Sequence, residues 1–84
     1  MCRNITELRG LEPPATTEEI EAAARQYVRK VSGLTKPNAQ VIDAFEAAVV
    51  EVAEATTRLL EVCPPRRQPP MKDPPLRRLA ARSA

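Results

Sequence analysis

Two sets of residues in this chain are of types that do chemistry: the cysteines Cys2 and Cys63, and a run of six cations, Arg66, Arg67, Lys72, Arg77, Arg78 and Arg82. The thiolate is the reactive form of cysteine, and a neighbouring cation favours it. Arg3 stands next to Cys2 and would act in that way. Removal of Met1 would leave an N-terminal cysteine whose own amine could serve as base. Histidine is absent, so no general base with an orienting partner can be named. Two cysteines without histidine cannot fill a four-ligand zinc site in one chain, although a dimer pairing Cys2 with Cys63 could. The residues therefore point to no catalytic group, metal or cofactor. Packing is the plain reading of both thiols, with Cys2, Arg3 and Asn4 as a surface feature.

The cations carry a different chemistry. Spread along an arm, they would neutralise phosphates on nucleic acid or grip an acidic protein surface. The arm lacks aromatic residues on which bases could stack, as single-strand binders generally require. A protein partner is thus the better fit, and nucleic acid the alternative. Without a partner, the arm would be a solvated tail or would fold back on the acidic second helix, with its Asp43, Glu46, Glu51, Glu54 and Glu61. Its proline pairs 64/65, 69/70 and 74/75 recur at five-residue steps, which suggests extended, polyproline-like chain. No two prolines stand three apart, so the PxxP spacing read by SH3-type domains is missing.

The elements that must carry these groups lie before Pro64. Residues 1–63 hold seven Lys/Arg against ten Asp/Glu, and residues 64–84 six against one. The net charge of +2 therefore describes neither part. Thr16-Thr17-Glu18-Glu19 is a helix start: Thr16 can accept from the Glu19 N–H while the Glu19 carboxylate reaches back, a capping box. Ile20, Ala24, Tyr27, Val31 and Leu34 follow at helical spacing. Arg29 and Lys30 suit the negative end of the helix dipole, and Gly33 suits the left-handed position that ends many helices.

A short link through Pro37 predicts an antiparallel return, with Asn38 as N-cap. Val41, Phe45, Ala48, Val52, Ala55, Leu59 and Val62 then step by four and three. A helix-turn-helix about Gly33 is unsatisfactory. Arg29 stands where a small residue is expected, Pro37 would interrupt the recognition helix, and the second helix is acidic. The second helix is also longer than the first. Either the N-terminal Ile5, Leu8 and Leu11, spaced by three, cover the excess stripe, or a second copy of the chain does.

Eighty-four residues with only Tyr27 and Phe45 as aromatics make a small core, for which oligomerisation is a common remedy. No run of eighteen apolar residues occurs, and the start has no apolar signal-like region. A cytoplasmic location with reduced thiols is the expectation.

The segments MCRNI, EPPAT, AAARQYVRKVSG, KP, AFEAAV and AT-RLL resemble a small uncharacterised bacterial protein family with many actinobacterial members. The likeness covers about residues 1–62 and leaves the proline–arginine tail outside. It implies that Cys2-Arg3-Asn4-Ile5 belongs to the domain, and it brings no activity, substrate or cofactor.

The sequence thus predicts an all-α domain over 1–63. It is an antiparallel two-helix hairpin, about 17–32 and 39–63, with a packed N-terminal segment and an extended tail over 64–84. The expected role is a non-enzymatic protein-interaction module with the six tail cations as docking residues. A homodimer through Phe45, Val52 and Leu59 is possible. Nucleic-acid association through the tail and a thiol-dependent role at Cys2 are the alternatives.

Overall fold

The computed structural model of the chain describes residues 5–64 and 73–78. Two helices, α1 (Thr17–Ser32) and α2 (Ile42–Val62), pack against each other as a hairpin. No strand occurs among the described residues.

The capping box sets the start of α1. The Glu19 N–H donates to Thr16 Oγ1 at 3.1 Å, and the Thr16 N–H donates to Glu19 Oε1 at 2.8 Å. At the other end Gly33 has φ 74°, and its N–H donates to the Arg29 carbonyl at 2.9 Å. That left-handed closure turns the chain out of the helix axis.

The second helix begins later than its stripe suggests. Asn38 does not cap it; the Asn38 Oδ1 accepts from the Gln40 N–H at 3.0 Å. This local bond, made two residues on, competes with helix. The Asn38 carbonyl accepts from Val41 and Ile42, so 39–41 form a turn and Val41 is the N-cap. At the far end Cys63 is extended, as the residue before a proline tends to be.

The buried lines differ from the periodic stripes. In α1 the core residues are Ile20, Ala24 and Val28, spaced by four, whereas Tyr27 and Val31, and Leu34 beyond the helix end, are exposed. In α2 they are Phe45 and Val49, the latter 1% exposed. Ala24, Val28, Phe45 and Val49 form one cluster, with Ala48, Val52 and Ala53 packed beside it. Leu8, Leu11 and Ile20 form a second, against Ala15, Ala53 and Leu60. The N-terminal segment therefore covers part of the long helix, while Leu59 and Val62 stay exposed. Phe45 is held in the chain's own core, which removes it from a homodimer face of Phe45, Val52 and Leu59. Of those three, Val52 is half-buried and only Leu59 is open.

Of the C-terminal stretch the described residues are 73–78: residues 75–78 form a helical turn, Pro74 is buried, and Arg77 is held against the N-terminal end of α1.

Candidate functional site: an arginine cradle and an open apolar flank

Glu19 has two jobs in one carboxylate. Its Oε1 already accepts from the Thr16 N–H, which fixes the side chain. Arg77 then meets it side-on: Nε donates to Oε2 at 2.6 Å and Nη2 to Oε1 at 3.1 Å. Nη2 also donates to the carbonyls of Pro13 and Pro14, at 2.6 and 3.0 Å. Glu19 is only 4% exposed. Burial pushes its carboxyl upward, but the hydrogen bonds from Arg77 and Thr16 and the Arg77 charge outweigh it. The net result lies below the ordinary carboxylate value. A planar fork meeting a carboxylate and two carbonyls is a geometry that arginine satisfies and lysine does not.

A second ion pair orients the hairpin. Arg25 donates to both oxygens of Glu46, at 2.6 and 2.8 Å, and lies 3.6 Å from Glu21. The hydrogen bonds that Arg25 donates to Glu46 are the main cause that lowers the Glu46 pKa and the main cause that raises that of Arg25.

This pair also identifies the two flanks. Arg25 and Glu46 each follow a core residue, Ala24 and Phe45, by one position. Residues that precede a core position by one therefore share the opposite flank: Glu19 and Tyr27 on α1, Ala48 and Leu59 on α2. Ala55 and Val62 lie further round on that side. There Leu59 is 61% and Val62 79% exposed, and Val31, at the loop end, is 66% exposed. The hairpin thus leaves Leu59 and Val62 exposed at the end of α2 and Tyr27 and Val31 exposed towards the loop end of α1, while Glu19 on the same side of α1 is buried beneath Arg77.

The predicted site residues are dispersed. Cys2, Arg3, Asn4, Arg66, Arg67, Lys72 and Arg82 lie outside the described residues. Arg78 is exposed, and Arg77 is engaged within the chain. Cys63 is a free, half-buried thiol. It lines a cleft of about 480 Å³ between the N-terminal segment and the end of α2, with Leu8, Leu11, Ile20 and Leu60 among its walls. Among the described residues no three His, Cys, Asp or Glu come together to hold a metal ion. No described helix is long and apolar enough to cross a membrane.

Sequence reasoning found the first role of Glu19 and missed the second. Its partner stands 58 residues away, and no spacing rule links them. The acids of the first turn facing a basic arm were the one available signal.

Residues 1–83 match the model of the family described as uncharacterized conserved protein DUF2277. The match runs through the proline–arginine stretch, so the common part does not end near residue 62. No curated protein and no solved structure matches the chain.

Proposed function

The chain belongs to this family, and we propose from the geometry that it is a small non-enzymatic protein-interaction module that receives a partner's amphipathic helix. The carrying observation is the exposure of large apolar side chains on two packed helices: Leu59 and Val62 at the C-terminal end of α2, and Tyr27 and Val31 towards the loop end of α1. Helices bury an apolar stripe against a neighbouring layer, and two parallel ridges make a groove into which a third helix fits.

The basic arm enters this reading in altered form. Arg77 serves the chain's own fold, so the docking role falls to the apolar flank. Arg78 is exposed and free to meet a partner. A second copy of the chain is the competing occupant, and it would have to use Leu59 and Val62 without Phe45.

A photoreactive amino acid placed at Leu59, and separately at Glu54 on the polar face of α2, tests the proposal in the full chain. The expected result is a crosslink from position 59 alone, mapped by mass spectrometry to an apolar face of a helix in another protein. Equal labelling from both positions, or none from 59, overturns it. A crosslink to the chain's own peptides replaces the partner helix by a homodimer. Nuclease treatment that abolishes capture would assign the contact to nucleic acid.

A further inference from the structure

We infer that the Glu19 carboxylate and the Pro13 and Pro14 carbonyls form a recognition site for an arginine presented by a proline-rich segment. The chain's own Arg77 is its resident, displaceable ligand. The inference does not depend on the apolar flank, and either can fail alone.

The acceptors come from a single short stretch, residues 13–19. The capping box holds the carboxylate through the Thr16 N–H, a bond that owes nothing to the C-terminal segment. Both proline carbonyls precede the helix, so the α1 ladder does not use them. The receptor is therefore built before its ligand arrives. Such preorganisation is what makes a site bind.

The ligand side is equally local. Four hydrogen bonds leave one guanidinium, and Pro74 is buried three residues before it. The recognised unit is thus the run Asp73-Pro74-Pro75-Leu76-Arg77, a short motif that another polypeptide could present in the same form. Being tethered, Arg77 competes at a high effective concentration, in the millimolar range for short links. An outside arginine meets a closed site until that tether is displaced.

The experiment uses the full chain carrying Arg77→Ala and the synthetic peptide Ac-DPPLRR-NH2, with binding read by NMR shift changes in residues 13–20. The peptide should bind Arg77→Ala at least tenfold more tightly than the unaltered chain. A peptide with its first arginine replaced by lysine should bind at least tenfold more weakly. Adding Glu19→Gln, which keeps the capping box, should abolish binding while circular dichroism stays helical. Equal peptide affinity for the unaltered chain and Arg77→Ala would place binding elsewhere and overturn the proposal. A folded Arg77→Ala that takes up no peptide would reduce Arg77 to an intramolecular strap, which also overturns it. Should Arg77→Ala fail to fold, Arg77→Lys provides a weaker resident ligand for the peptide to displace, and the same two outcomes apply.

Discussion

At the scale of residues, Glu19 carries more of the fold than its place in a first helical turn suggests. Truncating Arg77 would leave a buried carboxylate with its Thr16 bond alone. Hydrogen bonds to charged groups are worth about 1.5–3 kcal/mol, and 1 kcal/mol moves the Tm of a domain this size by about 4–8 °C. Arg77→Ala should therefore lower Tm by roughly 10 °C in a thermal melt. A change below about 3 °C would show the contact to be ornamental. The pH dependence follows in sign. Glu19 and Glu46 both have folded pKa values below their unfolded ones. Their contribution is fully present above the unfolded value, about 4.3, and is lost as pH falls through the folded value. Urea midpoints should be flat from pH 8 to about 5 and decline below that. Glu19→Gln should soften the decline, and an unaltered slope would refute the assignment.

At the scale of elements, the ends of α1 were legible in the sequence because local chemistry sets them. Thr16, Glu19 and Gly33 each satisfy a backbone group within four residues. The start of α2 was legible only in part. Asn38 suits both an N-cap and a side-chain turn, and here the turn prevails. The buried face was the harder matter. In α1, Tyr27 and Val28 are adjacent apolar residues about 100° apart, and periodicity cannot choose between them. Contact with Phe45 and Val49 chooses Val28. The same selection leaves Tyr27 exposed. Phe45→Ala should cost about 3–5 kcal/mol, measured by urea denaturation, enough to unfold much of the population. Val31→Ala, at an exposed site, should cost less than about 0.5 kcal/mol. Comparable losses from both would mean that the core line is misassigned.

At the scale of the whole molecule, the division at Cys63–Pro64 is a division of composition more than of structure. The arm was recognisable as basic and proline-spaced, but not as part of the body, because a contact between residues 19 and 77 leaves no periodic trace. Arg9 adds a second tie, donating from Nε to the Pro64 carbonyl at 3.0 Å. A truncation ending at residue 63 removes both Arg77 and that carbonyl. It should be helical yet less stable than the full chain by about 2 kcal/mol or more, as read from denaturant midpoints. Identical midpoints would restore the picture of an independent body with an attached tail.

The separation of Glu19 from Arg77 also has a meaning in time. A ribosome adding about 5–20 residues per second needs several seconds to pass from one to the other. During that interval the first helix can form and cap itself, while its carboxylate waits without a guanidinium. The nascent chain thus passes through a stage in which the cradle is built and vacant, and only the arrival of Arg77 closes it.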